Sequence, residues 1–546
     1  MSLRERRALL ARRQPPKRLV PQHAAGTEVN GPVLEEQFST TPEISTPPQP
    51  FRSHLWLPIS EYEQNSVNNN PDLTNFDVIF FPPTSPQSSP LIDMALASTG
   101  LLSSLPSQVV LSAVEHKALD YCQKETRFGF GSKSPTWSTH AILLKAAAQN
   151  PVILHLLIAA SLAEVASYTP THQQSMLNIA DGHYELGRRL LERVLAGAEP
   201  DPLIVMASFW FLYLHQRRWH SGRRICYAEL SAWMRDYLIR RPLHQELSSE
   251  YPEENGDETD NRTALSLDMC SILARLIIWL FWADTQSCLV GGGQMAKVVA
   301  ESVSPGGMLN LHETSRAALQ LHWNTLYPDE QLADDIQNAA ALELVHHTWV
   351  IVQEINEEVP HAPMNPGKSR RIKNRLDALR RKYPICSVFQ LTESATPDRN
   401  RLMANSDWAV ASFHAVRIYN FRCSMTEGMR PFSCHDDNDI CKTVSSLTFL
   451  LQKSLATDDR QQMDRLQWPL VWVGIETTDR SKQIWILSKL SNPIAHDVVK
   501  AVLNEQSNGM RVSMQRMGEI CHAESVLFEG PGSRAGTPLA FEPLVR

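Results

Sequence analysis

Residues 271–290 read SILARLIIWLFWADTQSCLV, and the choice of fold turns on them. From Ser271 to Ala283 nearly every side chain is apolar, and Arg275 is the single charge. A run this short does not reach the roughly 18 to 20 apolar residues that span a bilayer. An amphipathic helix would confine its apolar residues to one stripe, so apolarity all round suits a helix buried between others. Residues 151–168, PVILHLLIAASLAEVASY, and 202–216, PLIVMASFWFLYLHQ, have the same texture. Three such segments predict a core made of helices.

The sequence around these segments has the same punctuation. From about Pro106 onward apolar residues recur at intervals of three and four, glycines are few inside the segments, and prolines sit at their edges. Between Met176 and Ala196 the spacing assigns Ile179, His183, Leu186, Leu190, Val194 and Leu195 to an inward stripe. Asp181, Glu185, Arg188, Arg189, Glu192 and Arg193 take the other face, and Gly197 and Pro200 stop the helix. Sustained two-residue alternation between turn signals is missing, so the body is expected to be all-α. No fixed-period repeat supports a solenoid. The acidic stretch QELSSEYPEENGDETDNRT, with seven carboxylates, is expected to be a solvated loop between helices.

Composition bounds the function. With 546 residues, 43% apolar and 20% charged, the chain can bury a large core without metal or disulfide staples. A net charge of -7 argues against a surface that coats nucleic acid along its whole length. Nine cysteines with no C-x2-C pair suit a reduced intracellular protein. The N-terminus lacks the apolar core of a secretory signal. It carries instead Arg4, Arg6, Arg7, Arg12, Arg13, Lys17 and Arg18 against Glu5 alone, which is either a nuclear-import or phosphate-contacting segment or a solvated basic tail. Residues 1–104 are expected to be mostly disordered, basic at first and then rich in Pro, Ser and Thr. Within them Asp72, Phe76, Asp77, Phe80 and Phe81 form an acidic-aromatic patch, read either as an activation or docking segment or as a stretch that folds back on the body. A helical domain then spans residues 105–528, and 529–546 form a flexible C-terminal tail.

Signatures of catalysis are missing: H-E-x-x-H, G-x-x-x-x-G-K-[ST], G-x-S-x-G and a strand-led G-x-G-x-x-G do not occur. No catalytic, cofactor or metal residue is assigned, and the chain is not expected to be an enzyme. The glycines Gly291, Gly292 and Gly293 follow a long apolar helix, where glycine more often caps a C-terminus than cradles phosphate. CHDDNDIC, from Cys434 to Cys441, has a C-x6-C spacing too wide for a structural zinc pair and reads as a polar loop. Of His346 and His347, one ring is expected to pack and the other to be exposed. KSRRIKNRLDALRRK, residues 368–382, places eight basic residues around Ile372, Leu376 and Leu379, either as the solvated face of a packed helix or as a second import or DNA-contacting surface. In WPLVWVGIETTDRSKQIWILSKL, residues 468–490, Pro469 fits the first turn of a helix and Gly474 allows another helix to come close. Glu476 and Asp479 then need partners if buried, with Arg275 or Arg480 as the candidates.

These last residues carry a family resemblance. The segment beginning at Trp468 resembles the signature near the C-terminus of the fungal-specific transcription factor domain, the helical regulatory region of fungal binuclear zinc-cluster transcription factors. Its signature positions here are Trp468, Pro469, Gly474, Glu476 and Asp479. Residues 274–294, ARLIIWLFWADTQSCLVGGGQ, resemble a second block, with Asp284 and Gly291, Gly292 and Gly293 at its acidic and glycine positions. NPVILHLLIAASLAEVAS followed by ADGHYELGRRLLERVL resembles the early helices, His183 and Tyr184 supplying the His-Tyr pair. The resemblance implies a nuclear regulator of RNA polymerase II target genes, a secondary-metabolite gene cluster being one such target. Its implied partners are promoter DNA, bound directly or through a partner protein, the transcription machinery, a second copy of the chain and a small-molecule effector, with no membrane. Members usually bind DNA through a zinc cluster of six cysteines near the N-terminus, whereas the first cysteine here is Cys122. Zinc is therefore not expected in this chain, and would enter only with a cysteine cluster upstream of it. The alternative is a helical scaffold or ligand-binding protein that has lost DNA binding.

Overall fold

Asparagine, aspartate or serine at the start of a segment and proline just inside it open many of the helices. Asn150 accepts from the Val152 and Ile153 amides ahead of Pro151, and Asn492 accepts from Ala495 ahead of Pro493. The computed structural model describes residues 111–124, 133–167, 169, 173–218, 227–248, 265–304, 306–359, 363–384, 401–425, 438–456 and 460–527. All of them belong to the unit Ser89–Arg546. The N-terminal basic segment, the acidic-aromatic patch, most of the seven-carboxylate stretch, Cys434 to Asp437 and the C-terminal tail lie outside the described residues.

The described chain is all-α, and no strand occurs among these residues. Its helices are α1 (Ala113–Lys124), α2 (Thr139–Ala147), α3 (Pro151–Ala166), α4 (Gln173–Leu195), α5 (Pro202–Arg218), α6 (Tyr227–Arg240) and α7 (Leu243–Ser248). Next come α8 (Leu267–Gln286), α9 (Gln294–Ser302), α10 (Gly307–Arg316), α11 (Ala318–Trp323), α12 (Asp329–Asn356), α13 (Pro366–Lys382) and α14 (Arg401–Ser424). The last are α15 (Asn438–Ser454), α16 (Arg460–Arg465), α17 (Gln467–Glu476), α18 (Arg480–Lys489), α19 (Pro493–Glu505) and α20 (Met514–Leu527).

The three segments that are apolar all round, α3, α5 and α8, are buried on nearly every side. They pack in series, α3 on α5 and α5 on α8, and α8 passes the core on to α12. From there α14 packs on α12 and on α17, and α17 packs on α19. One continuous apolar cluster runs from Ala118 to Cys521 through all of these helices. No helix of the described residues is long and apolar enough to cross a membrane.

The inward face of α4 differs from the expected stripe. Its buried residues are Leu177, Ala180, Tyr184, Gly187, Leu191 and Leu195, whereas Leu186 is 38% exposed. Gly187 explains the rotation. A Cβ at Gly187 would stand 2.6 Å from Leu156 Cγ, so α4 turns its glycine toward α3 and lets the two backbones approach. Close packing outweighs the larger side chain at Leu186.

The basic helix α13 buries Ile372 and Leu376, and its long basic side chains reach acids on and just beyond α12. Lys382 Nζ lies 2.8 Å from Glu343, Arg375 pairs with Glu354, and Lys368 Nζ lies 2.8 Å from Glu358. Arg370, Arg371, Lys373 and Arg381 stay exposed. The solvated face of a packed helix accounts for the first three pairs.

Candidate ligand cavity

The segment that begins at Trp468 forms α17 and α18. Pro469 stands in the first turn of α17, as its missing N–H allows. Trp468 and Trp472 build an aromatic cluster with Trp349 and Tyr419: ring centroids lie 5.0 Å apart for Trp349 and Trp468, and 4.4 Å apart for Tyr419 and Trp472. A Cβ on Gly474 would meet Ile486 Cγ2 at 3.1 Å and Val499 Cγ1 at 3.4 Å, so this glycine seats α18 and α19 against α17.

Glu476 and Asp479 have different neighbours from those expected. Glu476 is buried between two arginines: Arg422 Nε pairs with Oε1, and Arg511 Nε lies 3.1 Å from Oε2. Arg422 spends its remaining nitrogens on the Val512 carbonyl at 2.6 Å, the Ile475 carbonyl at 3.2 Å and Gln506 Oε1 at 2.7 Å. Arg275 instead donates to Thr139 Oγ1, and Arg480 to Gln483. Asp479 is exposed and caps α18, accepting from the amides of Ser481 and Lys482. Burial of charge demands counter-charge, and only α14 and the segment after α19 bring one close enough.

Asp284, wholly buried at the C-terminal end of α8, reaches over the glycine turn to α9. It accepts from the Gly293 amide at 3.0 Å and the Ala296 amide at 2.8 Å, and Tyr213 donates its hydroxyl to the same carboxylate. Ser231 Oγ accepts from the two amides between them, Gln294 at 2.9 Å and Met295 at 3.2 Å. All four N–H groups that open α9 are thereby satisfied. Burial pushes the Asp284 carboxyl up from its ordinary range, and the Tyr213 hydroxyl and the two amides pull it back. Gly291 and Gly293 adopt φ of 98° and 92°, which side chains with a Cβ rarely take. A Cβ on Gly292 would collide with Ser287 Oγ at 1.9 Å. The acid-plus-glycines pattern is thus a tertiary helix cap, with no amide left for a phosphate.

The two segments meet around a cavity of about 140 Å³. Ala283, Gln286, Ser287, Leu289 and Val290 contribute one part of the lining, Gln467, Trp468, Val471 and Trp472 another, and α5, α6, α19 and α20 supply the rest. The walls are mainly aromatic and aliphatic, with Trp210, Trp468 and Trp472 among them. Most polar groups on the lining are already used. Gln467 donates to the Met463 and Lys489 carbonyls and accepts from the Ser491 and Asn492 amides. Asn492 caps α19, Ser287 donates to the Asp284 carbonyl, and Tyr213 donates to Asp284. Among those that remain are the half-buried side chains of Arg217 and Gln286 and the buried Nε1–H of Trp472. The sequence signal for Arg217 was the pair Arg217-Arg218 closing an otherwise apolar helix, which reads equally well as an ordinary basic C-terminus.

The other residues singled out in the sequence fall elsewhere. His346 is buried and stacked on His312 with centroids 4.5 Å apart, and His347 is half-buried beside Glu343. His183 contacts His155 and Glu115, and Tyr184 stacks on His215. Asp439, from the CHDDNDIC stretch, pairs with Arg417 at 2.7 Å. Among the described residues no group of three His, Cys, Asp or Glu could hold a metal ion. Comparisons with protein-family models, with curated proteins and with solved structures return no match to this chain.

Proposed function

We propose that this protein is a nuclear transcriptional regulator of fungal type that controls RNA polymerase II target genes, a secondary-metabolite gene cluster being one candidate target. The observation that supports the reading is the convergence of the two resembling blocks. The residues flanking Asp284 (Ala283, Gln286, Ser287, Leu289 and Val290) and the start of the Trp468 helix (Gln467, Trp468, Val471 and Trp472) are far apart in sequence, yet they line the same cavity. In this reading the helical body relays a signal, the basic tail from Arg4 to Arg18 directs import and contacts phosphates, and the patch from Asp72 to Phe81 recruits the transcription machinery. DNA is reached through that tail, through a partner, or through a cysteine cluster encoded upstream.

The test is chromatin occupancy of the tagged full chain, with and without replacement of Arg4, Arg6, Arg7, Arg12 and Arg13 by Gln. Nuclear accumulation and enrichment at discrete promoters are expected for the natural chain, and loss of import for the variant. A natural chain that stays outside the nucleus overturns the proposal. The cavity itself favours the second reading, a helical ligand-binding protein that has lost gene regulation, and that outcome would leave it standing.

A further inference from the structure

We propose that the cavity between α5, α8, α17 and α19 binds a small organic anion with a single aromatic ring, a monocyclic aromatic carboxylate of benzoate size. Charge comes first. Arg217 stands in the last turn of α5, and its only hydrogen bond is to the main-chain carbonyl of Asp464. No carboxylate among the described residues pairs with it. Its neighbour Arg218 shows what a satisfied guanidinium looks like in the same place: it takes both oxygens of Glu164, at 2.5 and 2.9 Å, and the carboxylate of Asp464. Asp464 therefore gives its charge to Arg218 and only its carbonyl to Arg217. The helix C-terminus offers Arg217 a fraction of a negative charge, but a guanidinium has five N–H donors to satisfy. A carboxylate supplies the missing charge and can accept two parallel N–H bonds.

The neutral donor agrees. Gln286 ends α8 on the same lining and is half-buried, and its side chain makes no hydrogen bond among the described residues. Its amide N–H2 can donate to the same carboxylate. The Gln467 and Asn492 side-chain oxygens on the lining are spent on backbone amides, so apart from the Gln286 oxygen the cavity offers donors and asks for an acceptor.

Size and shape set the rest of the ligand. An apolar cavity of roughly 150 Å³ is known to take benzene. The volume here, about 140 Å³, is close to that and admits one ring. Trp468, with Trp472 packed beside it at 5.8 Å between centroids and 66° between planes, brings aromatic surface to the lining.

This inference stands apart from the transcriptional reading, because its test needs no promoter and each can fail without the other. The full-length protein is titrated calorimetrically with benzoate, benzyl alcohol, acetate and 1-naphthoate, and each variant is checked by circular dichroism. Saturable binding of benzoate is expected, with acetate and 1-naphthoate at least about tenfold weaker. Arg217→Met should weaken benzoate at least about tenfold and leave benzyl alcohol within about twofold. Ala495→Phe, which pushes a ring into the cavity from α19, should abolish both. If Arg217→Met does not fold, Gln286→Leu carries the same comparison. Absence of saturable benzoate binding to the folded natural chain overturns the inference. So does benzoate binding that survives Ala495→Phe, or loss of benzoate and benzyl alcohol to the same degree in Arg217→Met.

Discussion

At the scale of single residues, Glu476 and Asp479 show how three positions separate a structural charge from a surface one. Glu476 is sealed between Arg422 and Arg511, so removing it leaves two buried guanidinium groups short of counter-charge. Breaking a buried pair by deleting one partner costs about 3–5 kcal/mol. Glu476→Ala should therefore lower unfolding stability by about that much in urea titration. Asp479→Ala should cost much less, since that carboxylate is exposed and loses only its cap on α18. Equal losses in the two variants would remove the buried triad from the account. The need for a partner at Glu476 was legible in the sequence, because an acid inside an apolar segment has few alternatives. The partner's identity was not: Arg422 and Arg511 lie 54 residues before and 35 residues after it, and only the tertiary fold joins them.

At the scale of elements, α3 and α4 test whether close packing or helix propensity decides the fate of a glycine. Gly182 and Gly187 lie on the same helix. A Cβ at Gly182 meets nothing within 4 Å, whereas at Gly187 it strikes buried Leu156 at 2.6 Å. Alanine gains roughly 0.8–1 kcal/mol over glycine inside a helix, and overpacking costs roughly 1–3 kcal/mol. Gly182→Ala should thus stabilise by up to about 1 kcal/mol, while Gly187→Ala destabilises by about 1 kcal/mol. Thermal unfolding of the two variants should move in opposite directions; a shared direction would mean that the interface yields. Helix periodicity located α4 within three residues of its start, yet it favoured Leu186 for the core, because side-chain size was read without the partner surface. The glycine pattern after α8 was legible as a C-terminal cap, and Gly291 is one, closing in the left-handed region the 3-10 turn Cys288–Val290 that continues α8. What the sequence did not show is that Asp284 serves the start of α9, its carboxylate acting across nine to twelve residues.

At the scale of the whole molecule, the all-α core was legible because α3, α5 and α8 are apolar all round and leave no exposed face to explain. What periodicity could not reveal is how many histidines that core encloses. His140, His346 and His414 are each held by burial at about 3, well below the ordinary imidazole value. His140 accepts from Trp210 Nε1 at 3.3 Å, as only a neutral ring can. Groups around His346 add to the effect: His347 disfavours a second charge, and Glu343 opposes it only weakly. The unfolded chain takes up protons on these rings near pH 6.5, while the folded chain does not until about pH 3. Proton uptake by the unfolded state alone means that stability falls as pH drops through this window, by up to about 1.4 kcal/mol per pH unit for each histidine. Carboxylates with lowered values, such as Asp335 and Asp439, act in the same direction, but only below about pH 4, where unfolded aspartate protonates. The two causes therefore separate by pH. The melting temperature should decline steadily from pH 6.5 to pH 5, and His346→Phe, which preserves the stack on His312, should flatten that decline. A melting temperature that is level down to about pH 4.5 would assign acid unfolding to the carboxylates alone.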